Sequence, residues 1–150
     1  MVESHLDNLL KVFEPYFNCP LSADALQTCL IKLKSGIKIQ IELNNYGLIL
    51  IGCEFDSVLG RYQDLLLKEA LKANHLHSLA SGCFGFSRKN SALILFKFVD
   101  PLDLKPNDIS KILDPFIIKA KLWNEAIKNN LLPAVSDTKE EIKGPKLFGL

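Results

Sequence analysis

The segment SALILFKFV (residues 91–99) constrains the fold most, because it alternates like a β-strand yet is apolar on both faces. The two faces of such a strand would carry Ala92, Ile94, Phe96 and Phe98 on one side, and Ser91, Leu93, Leu95, Lys97 and Val99 on the other. A strand with one face in water alternates apolar with polar residues. A strand with two apolar faces must be covered on both sides. In a short chain, a partner protein can cover one of the two faces.

Two other segments share this excess of apolar surface. The stretch YGLILIGCEF (46–55) is again apolar on both faces. A predicted helix at about 58–74 has apolar positions over more than half of its circumference, whereas a helix that packs on one side needs a narrower stripe. The sequence therefore predicts more apolar surface than one small core can bury.

Size and composition indicate one soluble domain. The chain has 150 residues, of which 48% are hydrophobic and 23% charged, and its formal net charge is +1. A near-neutral charge does not favour nucleic acid as a partner, and no apolar run reaches the ~18 residues of a membrane-spanning helix. MVESHLDNLL is not a signal peptide, so we expect a cytoplasmic protein. The four cysteines have no C-x-x-C spacing and are expected to be buried, reduced thiols.

The pattern of the chain predicts the order α-β-β-β-α-β-β-α. A first amphipathic helix is expected to end or kink at Pro15, and strands at 28–34, 37–43 and 46–55 form a meander through the turns SG and NNYG. The middle helix, capped by Asp56 or Ser57, is followed by a hairpin at 82–87 and 91–99 and by a last helix that Pro115 either kinks or restarts. The predicted fold class is α+β: a single twisted antiparallel sheet with helices packed on it, spanning residues 1–132, with a flexible polar tail at 133–150.

A search for catalytic or ligand-binding motifs finds none that is complete. No glycine-rich phosphate loop and no nucleophile elbow occurs, and the two glycines of GCFGF (82–86) are not followed by a helix start. The pair His75 and His77 lacks further metal ligands nearby, and a solvated helix end explains it. We therefore expect no enzyme activity, no cofactor and no metal, and the excess apolar surface favours a binding protein.

The order of elements resembles that of class I type III secretion chaperones of the Tir chaperone (CesT) family. The likeness spans about residues 3–131 and is carried by the helix HLDNLLKVF, the meander from TCLIKL to YGLILIGCEF, the helix RYQDLLLKEALKAN, the strand ALILFKFV and the helix FIIKAKLWNEAI. The near-neutral charge and the tail at 133–150 depart from what is usual in that family.

The resemblance implies a homodimeric, non-enzymatic cytoplasmic chaperone. Such a protein holds the N-terminal segment of a secreted effector in extended form, soluble and ready for export, until an ATPase of the secretion machine releases it. A client strand can also add to an open sheet edge. By this resemblance the client would contact Leu6, Leu10, Phe13, Leu30 and Ile39, with Lys32 and Lys38 at the rim. The dimer would form through Leu66, Leu67, Leu71, Leu93 and Leu95.

Two other functions fit the same pattern. A dimeric α+β scaffold or regulatory binding module with no role in secretion would bind a folded partner. A small enzyme or ligand carrier would need a pocket under the first helix with convergent polar groups, and the sequence shows no such set. Each of the apolar residues named above is also compatible with an ordinary place in the core.

Overall fold

The computed structural model describes residues 4–76 and 79–135, and it confirms the predicted fold class and element order. Within that part of the chain, three helices accompany one five-stranded antiparallel sheet. The helices are α1 (His5–Phe17), α2 (Gly60–Leu76) and α3 (Ile109–Lys128). The strands are β1 (Thr28–Lys32), β2 (Lys38–Leu43), β3 (Ile49–Ser57), β4 (Cys83–Ser87) and β5 (Ala92–Val99), and their order across the sheet is β1-β2-β3-β5-β4.

Helix α1 begins at a capping box. The Ser4 hydroxyl accepts from the main-chain N–H of Asp7, and the Asp7 carboxylate accepts from the main-chain N–H of Ser4. The expected end at Pro15 is wrong, since the helix continues to Phe17 and ends at Asn18 in the left-handed conformation. A proline removes only its own main-chain donor, and the last turn still closes because the Asn18 N–H donates to the Glu14 carbonyl at 2.8 Å.

The meander β1-β2-β3 forms through the two predicted turns. Gly36 and Gly47 have φ of +89° and +79°, which glycine adopts at little cost. The observed strands are offset from the predicted ones by up to three residues, and β3 extends to Ser57. Asp56 and Ser57 therefore belong to a strand and not to a helix cap, and the Ser57 hydroxyl bonds the Asn90 carbonyl across the sheet.

Helix α3 continues through Pro115. Asp114 does not cap a new helix there, because its side chain accepts a hydrogen bond from the Tyr16 hydroxyl of α1. A proline inside a helix weakens hydrogen bonding in the preceding turn. The ammonium of Lys97 donates to the Ile112 carbonyl in that turn, at 3.0 Å, and to the Ala80 carbonyl, at 2.7 Å.

The helices and one face of the sheet share a single hydrophobic core. On β5 the residues that face this core are Leu93, Leu95 and Val99, all buried. The tilted rings of Phe84 and Trp123 have centroids 4.1 Å apart and join β4 to α3. The core therefore covers the face of β5 that contains Lys97.

The chain after α3 contributes to the same core. Pro133 is buried and Val135 packs against the cluster, so packing extends beyond residue 132. The rest of the predicted tail, 136–150, lies outside the described residues, as does His77, while His75 is exposed in the last turn of α2.

Candidate protein-binding surface

The sheet face opposite the helices is an open apolar surface. Strand register places Leu30 of β1, Leu50 of β3, and Ile94, Phe96 and Phe98 of β5 on it. Leu30 and Phe98 are 57% and 52% exposed, and the other three are half-buried. The rings of Phe96 and Phe98 meet edge to face at 6.1 Å. We call this surface the open face.

A groove of about 410 Å³ crosses the open face. Its centre is low because Gly52, which pairs with Phe96 across β3 and β5, has no side chain to fill it. The polar and charged residues that line the groove are Lys38, Gln40, Glu42 and Glu54. The groove is thus apolar toward β5 and charged toward β2, so it suits an amphipathic segment better than a uniformly apolar one.

Strand β1 forms a free edge of the sheet. The Leu33 N–H bonds the Ile37 carbonyl, and alternate residues of an antiparallel strand bond to the same neighbour. The main-chain groups of Leu30 and Lys32 therefore point away from β2. Those of Thr28 are already used, because its N–H donates to the Asp24 carboxylate and its carbonyl accepts from the Asp24 N–H.

A second, smaller recess of about 240 Å³ lies on the helix side of this edge. Leu21, Cys29 and Ile31 line it together with Leu30, which also lines the groove. Two carboxylates of α1 hold the adjacent loop in place: Asp7 accepts from the Ala23 N–H at 2.8 Å, and Glu14 accepts from the Leu21 N–H at 3.0 Å. The hydrogen bond from Ala23, and then those from Ser4, lower the pKa of Asp7. An added strand would have a recess on each side for its alternating side chains.

The structure divides the residues predicted to contact a client. Leu30, Lys32 and Lys38 are exposed at the β1 edge and the groove. Leu6, Leu10, Phe13 and Ile39 are completely buried in the core of the chain. They offer no surface to a partner in this structure.

The residues predicted to form a dimer divide in the same way. Leu71 is 70% exposed on α2, and Leu67 is half-buried. Leu66 of α2 and Leu93 and Leu95 of β5 are buried inside the chain, at 1% exposure or less, because the helices pack on this face of β5. The surface of β5 available to a partner is the other one, with Ile94, Phe96 and Phe98.

The cysteines do not share one environment. Cys29 and Cys53 are buried, whereas Cys83 is half-buried and Cys19 is exposed, so burial was predicted correctly only for the first two. Burial raises the pKa of the Cys53 thiol to about 12 and also raises that of Cys29. All four thiols are free.

Residues 4–76 and 79–135 contain no cluster of metal ligands and no membrane-spanning helix. No group of three or more histidine, cysteine or acidic side chains in that part of the chain is arranged to hold a metal ion. None of its helices combines the length and the hydropathy that a membrane span requires. The sheet offers an apolar groove, a free edge at β1 and a charged rim.

A comparison with protein families decides the identity of the fold. The model of the Tir chaperone protein (CesT) family matches residues 8–124, which include all five strands and most of α3. This chain belongs to the CesT family. No curated protein sequence matches this CesT-family chain. The family is a family of chaperones, in agreement with the resemblance seen in the sequence.

Solved structures with the same fold agree with this assignment. The ExsC–ExsE complex matches at 20% identity with a TM-score of 0.66, over 90% of this chain and 98% of the other. The HopA1–SchA chaperone–effector complex matches at 17% identity with a TM-score of 0.60, over 81% and 91%. The Yersinia pestis type III secretion chaperone SycH, solved with a fragment of YscM2, matches at 14% with a TM-score of 0.59, over 77% and 96%. At these identities the likeness concerns the fold.

Four residues of the open face were absent from the sequence-based site: Leu50, Ile94, Phe96 and Phe98. The signal that could have found them was the alternation of 91–99, which had already placed Ile94, Phe96 and Phe98 on one face. The family resemblance had instead placed Leu93 and Leu95, on the opposite face, at the dimer contact.

Proposed function

We propose that this CesT-family protein is a type III secretion chaperone that binds the N-terminal segment of secreted effectors in extended form and keeps it soluble and competent for export. Family membership supports the chaperone class. The observation that carries the extended mode is the free edge of β1 beside exposed Leu30, with the open face next to it. Leu30, Lys32 and Lys38 are the predicted client contacts that lie on this surface.

The free edge of β1 can orient a client strand, but it contributes only a small part of the binding free energy. Two outward residues offer up to four main-chain hydrogen bonds, each worth about 1 kcal/mol net, so the edge supplies about 4 kcal/mol. Fixing the backbone of a ten-residue segment costs about 10–20 kcal/mol. The edge alone is therefore too weak to order such a segment.

The open face can supply the remaining free energy. At about 25 cal/mol per Å², burying roughly 800 Å² of apolar surface contributes about 20 kcal/mol. The apolar side chains of the client would lie on Leu30, Leu50 and Phe96, and its polar ones at the charged rim. The sum is close to balance, which suits a reversible complex that can be released for export.

We further propose that the protein is a homodimer. Leu71 is the most exposed large apolar side chain of α2, and α2 runs beside β4, where Asn74 bonds Phe84. We place the dimer contact on Leu67 and Leu71 of one copy and on Phe98, outside the groove, of the other. A two-fold axis would form this contact twice, so that both apolar surfaces are buried on each copy.

The remaining parts of the proposal follow the family resemblance. The protein would act in the cytoplasm and without catalysis, and a secretion ATPase would release the client. A dimeric scaffold that binds a folded partner is the main competitor, and the size and state of the bound protein distinguish the two.

Co-purification with a matched pair of variants tests the function. The tagged protein is isolated from its own cells, and limited proteolysis with mass spectrometry maps what it protects. We expect a larger protein that is protected over a segment near its N-terminus. Leu30→Asp, which places a charge beside the β1 edge, should reduce the recovery of that protein at least ~10-fold, which corresponds to 1.4 kcal/mol.

Leu102→Asp is the control, because Leu102 is 85% exposed in a short turn between β5 and α3, away from the residues that line the groove. It should leave recovery unchanged. Recovery of an intact folded partner would favour the scaffold, and equal recovery with Leu30→Asp would reject the β1 edge as the client site.

A further inference from the structure

The outer edge of β4 is closed by side chains from two helices. The Phe84 N–H donates to Oδ1 of Asn74 at 2.7 Å, and Nδ2 of Asn74 donates to the Phe84 carbonyl at 2.9 Å. The main-chain groups of Phe84 therefore point away from β5, toward α2. The side-chain amide of Asn74 makes the same pair of bonds that a neighbouring strand would make.

Lys119 of α3 bonds Gly82, which lies two residues before Phe84 and faces the same way along the edge. Its ammonium donates to the Gly82 carbonyl at 3.0 Å and to the Ser81 hydroxyl at 3.2 Å, and it lies 5.0 Å from the centre of the Phe84 ring. Only 7% of Lys119 is exposed, and burial lowers its pKa. Burying a lysine is costly, so these contacts must offset a desolvation penalty.

The two edges of the sheet therefore differ. On the β4 side, two successive outward positions, Gly82 and Phe84, are already bonded, and the next one, Phe86, is one residue from the strand end. On the β1 side, Leu30 and Lys32 are two successive outward positions whose main-chain groups have no hydrogen bond to the part of the chain that the structure describes.

We propose that Asn74 and Lys119 form an edge cap that closes β4 to strand addition and leaves β1 as the edge at which an extended client adds. The choice of client as occupant rests on the function proposed above; the cap itself does not. A strand that approaches β4 would have to break both Asn74 bonds and would leave a half-buried amide without partners. Edge strands that lack such protection are templates for self-association.

Removing the cap tests the proposal without any client. Asn74→Leu replaces the amide with an apolar side chain of similar size and so frees both main-chain groups of Phe84. The opened β4 edge of one copy can then pair with the free β1 edge of another, which gives head-to-tail growth. By sedimentation velocity, we expect assemblies larger than those of the wild type.

Two further variants make the result specific. Asn74→Leu combined with Leu30→Pro should return to the wild-type size, because proline removes an outward N–H from β1 without breaking the ladder to β2. Asn8→Leu, the same substitution at an exposed asparagine of α1, should sediment like the wild type. A folded Asn74→Leu protein of wild-type size, or assemblies that persist with Leu30→Pro, would overturn the edge cap.

If Asn74→Leu does not fold, hydrogen exchange of main-chain amides in the wild type tests the edge cap instead. The Phe84 N–H should exchange at least ~10-fold more slowly than those of Leu30 and Lys32, because its hydrogen bond must open before the amide hydrogen can exchange. Equal exchange rates at the two edges would reject the cap. Neither measurement involves an effector, so the cap and the proposed function can fail independently.

Discussion

The hydroxyl of Tyr16 in α1 donates a hydrogen bond of 2.5 Å to the Asp114 carboxylate in α3. This bond joins the first and last helices at the residue that precedes Pro115, and it holds Asp114 in the middle of a helix rather than at a cap. Burial, and then the neighbouring carboxylate, raise the pKa of the Tyr16 hydroxyl. The link therefore depends on pH as well as on packing.

Tyr16→Phe should lower the free energy of unfolding by about 0.5–1 kcal/mol at pH 8, since one largely exposed hydrogen bond is lost. The pKa of Tyr16 is raised on folding, so its contribution is complete below the unfolded value of about 10 and is lost as the pH rises above it. Urea unfolding should show a smaller difference between the two proteins at about pH 11 than at pH 8. Tyr46→Phe, at a side chain that is 90% exposed, should change neither. Equal stability of Tyr16→Phe and the wild type at pH 8 would contradict the link.

Gly82→Ala should destabilise the fold more than Gly47→Ala. Both glycines have positive φ, of +98° and +79°, so each substitution costs about 1 kcal/mol for the backbone alone. A Cβ on Gly82 would also lie 3.1 Å from atoms of Leu95, Phe96 and Phe116, whereas one on Gly47 would meet nothing within 4 Å. Overpacking adds about 1–3 kcal/mol, so we expect about 2–4 kcal/mol for Gly82→Ala in urea unfolding. Similar losses for the two variants would show that the space around Gly82 relaxes freely.

Leu71→Glu should convert the proposed dimer to a monomer. The wild type should scatter light as about twice the 16.8 kDa chain, and the variant as a single chain, because a charge replaces an apolar side chain in the contact. Leu122→Glu, at a leucine that is 57% exposed on α3, is the matched control and should remain a dimer. A wild-type monomer at micromolar concentration would remove the dimer from the proposal, and a dimeric Leu71→Glu would move the contact elsewhere.

Iodoacetamide should label Cys19 first and Cys53 last. Cys19 is exposed, whereas the pKa of Cys53 is raised to about 12, so that only roughly one Cys53 thiol in ten thousand is ionised at pH 8. Cys19 also lines the small recess beside β1, so a co-purified client should slow its labelling. Peptide mass spectrometry over time measures both effects. Labelling of Cys53 as fast as Cys19 would contradict its burial, and unchanged labelling of Cys19 in the complex would place the client away from the recess.

The order of elements and the antiparallel sheet could be predicted from the sequence because local signals specify them. The turn SG and the alternation of Ile37, Ile39 and Ile41 define a hairpin without reference to the rest of the chain. The capping box of α1 is equally local. The excess apolar surface of 91–99 was also visible, and it correctly indicated a surface without a cover in the single chain.

The tertiary structure alone decided which apolar residues are available to a partner. A period of two tells which side chains of a strand share a face, but not which face the helices cover. Leu93 and Leu95 share a face with Lys97, and the Lys97 ammonium reaches the carbonyls of Ala80 and Ile112, which allows that face to be buried. Strand order likewise placed β4 and β1 at the two edges, and side chains from distant helices determined which edge is closed. Such long-range contacts leave no periodic signal in the sequence, because they depend on where whole elements pack.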